Sequence, residues 1–273
     1  FLTPDGEPFW GGTYFPPEPR YGRPGFRQLL QAVYDTYREK RDAVRGNTEN
    51  LIAALSEPPR RGAQPLDRAF LDAAAERLLS VMDPIHGGLQ GAPKFPNAAV
   101  LELLWRAWRR NSAARYRDIV LKTLERICNG GIYDHIGGGF ARYAVDARWL
   151  VPHFEKMLYD NAQLLALLTW AYTETGEAGF RRRIEETADW VLAEMITEDG
   201  AFASSLDADS EGEEGKYYVW TPEEVAAVLG PADAAVFCAA YDITPRGNFE
   251  GRSIPNRLAA GFPDEEEEER LAP

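Results

Sequence analysis

The chain has 273 residues, of which 45% are apolar, enough for one large domain or for a domain plus part of another. Its 30 basic and 43 acidic side chains leave a formal charge of −13, which argues against nucleic acid or an anionic membrane surface as partner. No apolar run approaches the length needed to span a bilayer. The 2 cysteines, Cys128 and Cys238, show neither zinc nor Cys-x-x-Cys spacing. Both read as buried thiols, a reducing cytoplasm is the expected compartment, and no cofactor or metal is expected.

The first residues, Phe1-Leu2-Thr3-Pro4-Asp5-Gly6, are not a signal peptide and read as the middle of a larger polypeptide. Thr3-Pro4-Asp5-Gly6 is a turn, with Pro4 presetting its φ and Gly6 accepting a positive one. Phe9-Trp10 and Thr13-Tyr14-Phe15 favour strand, so a β-hairpin with a Gly11-Gly12 bulge is expected. Phe26, Leu29, Leu30, Val33 and Tyr37 recur at helical spacing and predict one helix over about 25–55. A linker at 58–63 follows.

Five further helices are marked by apolar stripes: Leu66 to Leu79, Val100 to Trp108, Ile119 to Ile127, Met157 to Leu168, and Ile184 to Met195. A sixth starts at Thr221-Pro222-Glu223-Glu224, a capping box with proline at the first helical position. Connections near Asn111-Ser112 and Thr175-Gly176 are short. The others are long and start alike, at Gly87-Gly88-Leu89, Gly130-Gly131-Ile132 and Gly200-Ala201-Phe202. This predicts a repeat of helical hairpins whose long loops gather on one face. The run Asp264 to Glu269 reads as a solvated, mobile acidic end within a tail at 263–273.

Residues 130–161 are richer than a connector needs. They hold 2 of the 3 histidines, His135 and His153, with Asp134, Arg142, Asp146, Glu155 and Asp160 among interleaved aromatic rings. That mixture suits a polar, ring-shaped ligand.

Several long motifs carry a resemblance. Asp5 to Pro17 (DGEPFWGGTYFPP), Gly91 to Pro96 (GAPKFP), Val151 to Asn161 (VPHFEKMLYDN), Asp207 to Gly212 (DADSEG) and Tyr217 to Trp220 (YYVW) are similar to the spermatogenesis-associated, thioredoxin-domain-containing (YyaL-like) proteins. The resemblance spans nearly the whole chain. It implies a mainly α fold: a thioredoxin-fold remnant over 1–57, then the first half of an (α/α) toroid over 64–262, similar to six-hairpin glycosidases and sugar epimerases. It also implies acid–base chemistry on a carbohydrate, or else a non-catalytic module that binds a partner or glycan. The family's cysteine motif is absent from these residues, so thiol–disulfide chemistry is not expected of them.

Within that frame His153 and Glu155 are the sharpest acid–base pair, and His135 is a candidate second base. Their alternative is helix capping and bonding to loop backbone. Asp134, Asp160 and Asp207 or Asp209 suit a glycosidase, which needs two carboxyls flanking one bond. Equally, Asp160-Asn161 orders the helix start. Asp207-x-Asp209-x-Glu211-Gly212 imitates half a calcium loop but has Tyr218 where the bidentate glutamate belongs, so a solvated acidic loop is the better reading. Trp149, Tyr143, Phe154, Tyr217, Tyr218 and Trp220 offer rings for stacking, most of them expected in the core. Arg142 is either an anion clamp or the partner of Asp146. Lys94 either faces the same cavity or is an exposed loop lysine.

Overall fold

The structure is a computed structural model that describes residues 1–20, 22–56 and 67–271. The linker expected at 58–63 lies outside the described residues. The chain divides into two compact units, 1–65 and 66–273.

In the first unit the Thr3–Gly6 turn forms: Gly6 N–H donates to Thr3 O at 2.9 Å, and Gly6 takes φ 82°. The hairpin does not. A single bridge joins Leu2 to Pro8, and Gly11 and Gly12 form no bulge. Pro16, Pro17 and Pro19 offer no N–H to a ladder, and a two-stranded ribbon has little to hold it without a covering sheet. The expected single helix is two, α1 (Phe26–Glu39) and α2 (Arg41–Ser56), broken where Lys40 leaves helical geometry at φ −120°, ψ 53°. Their small core holds Phe9, Leu29 and Val44, with Phe9 tilted on Tyr37 at 5.3 Å.

The second unit is mainly helical, as the stripes require. Its helices are α3 (Arg68–Leu79), α4 (Ala98–Asn111), α5 (Ala114–Asn129), α6 (Leu158–Thr175), α7 (Ala178–Glu194), α8 (Pro222–Leu229), α9 (Pro231–Ala240) and α10 (Glu265–Leu271). The two short connections make hairpins of α4–α5 and α6–α7, turned by left-handed Ser112 and Gly176. α4 packs on α3 and α6, and α5 on α7, so the hairpins lie side by side over one core of Leu104, Tyr116, Val120, Leu124, Ile127 and Leu168. The capping box of α8 forms, with Thr221 and Glu224 exchanging hydrogen bonds. The acidic run is not a bare tail: it builds α10, and Glu267 accepts from buried Arg257 at 2.8 Å. Cys128 is buried, and burial pushes its thiol up to about 12, whereas Cys238 is only half-buried.

The long loops do repeat, in a different register from the one the glycines suggest. Each opens with a bridge: Met82 to Leu89, Tyr133 to Phe140, Ile196 to Phe202. The equivalent of Gly87-Gly88-Leu89 is therefore Gly138-Gly139-Phe140, not Gly130-Gly131-Ile132. All four glycines of those two turns take positive φ, 68–69° in the first and 79–82° in the second, while Gly130 sits at φ −77°. Each loop then pairs with the next. Lys94 bridges Ala144, and β3 (Lys156–Met157) pairs with β4 (Ser205–Leu206). The middle loop carries an extra ribbon that the first lacks among the described residues, β1 (Tyr143–Ala144) paired with β2 (Pro152–His153). The third loop ends in the hairpin β5 (Asp209–Ser210) with β6 (Glu213–Glu214).

Candidate functional site

The extra ribbon is tied at its turn by Asp146, whose carboxylate accepts the amides of Arg148, Leu150 and Val151. Asp146 serves this turn, and Arg142 pairs with Glu155 instead. The register Tyr143 to His153 sets these two rings face to face, at 5.0 Å and 27°. Phe95, from the preceding loop, stacks on the other face of Tyr143 at 4.5 Å and 24°. A ladder of three parallel rings results, part of it open to solvent.

Arg142 leaves the same ribbon. Its Nη1 donates to Glu155 Oε2 at 3.1 Å and its Nη2 to the Tyr159 hydroxyl at 3.0 Å. His153 Nδ1 lies 2.7 Å from Glu214 Oε1, and its Nε2 lies 4.0 Å from Glu155 Oε2. Below this cluster a cavity of about 300 Å³ opens between the first turns of α4 and α6, walled by Phe95, Asn97, Arg142, Tyr159, Asp160 and Gln163. Asp160 is half-buried, and its Oδ2 is shut from solvent without a hydrogen-bond partner. Burial raises its pKa from the ordinary aspartate value; the Arg142 charge opposes the rise and Glu155 adds to it. The sequence left open whether Asp160-Asn161 orders the helix start, and the two residues divide the roles. Asn161 accepts from Phe140 N–H at 2.7 Å and donates to Phe140 O and Met157 O, pinning loop to helix. Asp160 does none of this.

The other expected residues lie elsewhere. Asp134 accepts the amides of Ile136 and Gly137 and the Lys156 ammonium at 2.8 Å. His135 has Nε2 at 3.0 Å from Gly130 O and Nδ1 at 3.3 Å from Arg183. Burial, then the Arg183 charge, holds its pKa well below the imidazole range. The small cavity it borders, about 20 Å³, is lined by Asp134 and Lys156 but not by His153, so the two histidines do not face one space. Lys94 is 2% exposed and donates to Asp83 Oδ2 and Gly87 O, both at 2.6 Å. Trp149 is fully buried, with Nε1–H on His86 O and the indole under Gly88. The expectation that these two contact a ligand is thus corrected: both are internal props. Trp220 exchanges backbone bonds with Ser253 and packs beside α8 and α9. Asp207 accepts the Asp209 amide, and Asp209 is exposed on the acidic hairpin. No group of three metal-ligating side chains occurs among the described residues. Phe95, Tyr159 and Glu214 were not among the candidate site residues, although Phe95 stands in GAPKFP, Tyr159 is one of the rings of the 130–161 stretch, and Glu214 follows Asp207-Ala208-Asp209 in a glutamate-rich turn.

Fold and cluster together define a helical-hairpin protein whose long loops gather a stacked, charged polar cleft. Residues 1–56 match the family Thioredox_DsbH, described as "Protein of unknown function, DUF255". The chain is 36% identical over 285 residues to mouse spermatogenesis-associated protein 20, covering 94% of this chain and 35% of that protein. It belongs to this family of thioredoxin-domain-containing, spermatogenesis-associated proteins and spans about a third of the length of the relatives it matches. Among solved structures it is similar to a cellobiose 2-epimerase from Spirochaeta thermophila, with 21% identity, TM-score 0.42, 52% of this chain and 42% of that one. An unsaturated glucuronyl hydrolase specific for heparin is similar at 13% identity and TM-score 0.43, over 71% of this chain and 53% of that one. Among the described residues, no helix is long and apolar enough to cross a membrane.

Proposed function

We propose that the longer polypeptide performs acid–base chemistry on a carbohydrate held in the cleft between α4 and α6. Asp160 lends the proton from the wall of that cleft, and His153, outside the wall but linked to it through Glu155 and Arg142, takes one, in a reducing cytoplasmic setting. The observation that carries this is the Asp160 carboxyl. An ionised carboxylate with one oxygen buried and unpartnered is costly, and protonation relieves the cost. A carboxyl with a raised pKa on the wall of a cavity is the arrangement a general acid needs. The partly exposed Phe95 ring in the cavity wall supplies a flat apolar face of the kind sugar rings stack on, and Arg142 and Gln163 supply donors.

A second reading, a binding module without chemistry, is favoured by one contact: Glu155 is already engaged with Arg142 and is not a free base. A mass-spectrometric screen of the longer polypeptide against free and phosphorylated sugars separates the two, with His153→Ala as control. Turnover lost in the control supports catalysis. Equal turnover removes the assignment from this cleft, and binding without turnover supports the module.

A further inference from the structure

We propose that Glu214 fixes the tautomer of His153 and so makes the gap between His153 and Glu155 a receptor for the hydroxyl groups of a polyol or sugar. The inference deepens the acid–base reading of this cleft and rests on it.

Glu214 is 61 residues from His153 in the chain and is brought there by two devices. β4 pairs with β3, two residues beyond Phe154, which brings the third loop alongside the second. The β5–β6 hairpin then turns on Glu211 and Gly212, both at positive φ, 55° and 81°. Two positive φ values at the centre of a two-residue loop match the twist of the strands and fix their register. Glu214 is therefore held at a set height, with its carboxylate 2.7 Å from the imidazole. Tyr143 covers one face of that ring.

An ionised carboxylate only accepts hydrogen bonds, so the nitrogen facing Glu214 carries the proton. In the neutral imidazole Nε2 is then bare. It faces Glu155 Oε2 across 4.0 Å, and that oxygen is itself an acceptor, already receiving Arg142. Two acceptors face each other with no proton between them. The group that satisfies both is a pair of donors, and adjacent hydroxyls of a sugar are such a pair. One hydroxyl meets the base Nε2, the other meets Glu155, and the Arg142 guanidinium beside them has N–H groups beyond those given to Glu155 and Tyr159 to donate to a ring or carbonyl oxygen. Glu214 is thus a positioning residue that never touches the ligand.

The test uses this chain labelled with ¹⁵N-histidine at mildly alkaline pH. His153 is expected to carry its proton on Nδ1, with Nε2 bare. Free hexoses are expected to shift the Nε2 resonance. Glu214 is half-exposed on a hairpin, so Glu214→Ala keeps the fold, which thermal unfolding checks. In that variant the imidazole is expected to move toward the Nε2–H tautomer and hexose binding to weaken roughly tenfold, the loss of one charge-assisted positioning bond. A wild-type ring protonated on Nε2, or still doubly protonated, overturns the inference. So does an Ala variant with an unchanged tautomer, or an Nε2 resonance that no hexose moves. If tautomer and shifts are as expected but the longer polypeptide turns over no hexose, the receptor stands and the acid–base reading falls.

Discussion

The first and second long loops of the hairpin unit are built on one plan, and the difference between them marks the site. In the first, Asp83 accepts the amides of Ile85 and His86, and Lys94 joins that carboxylate to Gly87 O above the Trp149 indole. In the second, Asp134 accepts the amides of Ile136 and Gly137, and Lys156 joins it to Gly138 O above the Trp190 indole. Both turns need glycine for the same reason: a Cβ on Gly88 would lie 2.5 Å from Trp149, and one on Gly139 would lie 2.6 Å from Trp190. What recurs in a loop with few other polar groups is scaffolding. What the second loop adds, the Tyr143–His153 ribbon with Arg142 and Glu155 at its base, is left over for function.

The comparison breaks first if the two lysines differ. Each is buried and ion-paired, so Lys94→Ala and Lys156→Ala should each cost about 3–5 kcal/mol, read by denaturant unfolding. A Lys156 variant as stable as wild type would move Asp134 and Lys156 from scaffold to chemistry. Next in size, Gly88→Ala and Gly139→Ala force both an unfavourable φ and a clash with an indole. Each should cost at least about 1–3 kcal/mol in the same assay.

A pH titration of stability sharpens the first loop. Burial alone would raise the Asp83 pKa, but the Lys94 ammonium and the amides of His86 and Ile85 outweigh it and hold the carboxyl at about 2. The folded pKa is depressed, so the stabilisation is full above the ordinary aspartate pKa and is lost as pH falls from about 4 toward 2. Asp83→Asn should be less stable at neutral pH and lack that part of the acid limb. Asp160 has the opposite sign: its folded pKa is raised, so the stability it contributes is full below the ordinary aspartate pKa and is lost as pH rises from that value through the raised one. The smallest effect follows. Asp160→Asn should change stability by no more than about 0.5 kcal/mol, or raise it slightly above that pH range.

Periodicity shows α3 to α7 and the short connections between them because each stripe is local, and a capping box shows the start of α8, whereas α9 is not among the predicted helices and the segment of α10 reads as a mobile acidic end. The loop repeat was visible as glycine runs, but its register was not. Gly130-Gly131 sits at a helix end and matches the pattern by composition, while only the bridges single out Gly138-Gly139. The break at Lys40 leaves no mark in the apolar spacing on either side. His153, Glu155, Arg142 and Asp160 were legible because a short stretch crowds them together. Tyr159 was visible only as one ring of that stretch, and Glu214 and Phe95 were not legible as site residues because the contacts that recruit them cross from one loop to another. Trp149 misled because a buried indole on a positive-φ residue looks the same in sequence as an exposed one.

The account stands on proton transfer by Asp160 to a bound sugar. The direct measurement is incorporation of solvent isotope into sugar, by mass spectrometry after incubation in heavy water or in ¹⁸O-water, comparing the longer polypeptide with its Asp160→Asn variant. The account predicts label in the wild-type product and a loss of about 10²–10⁴-fold in the variant at unchanged stability. Equal labelling by the two proteins would contradict it.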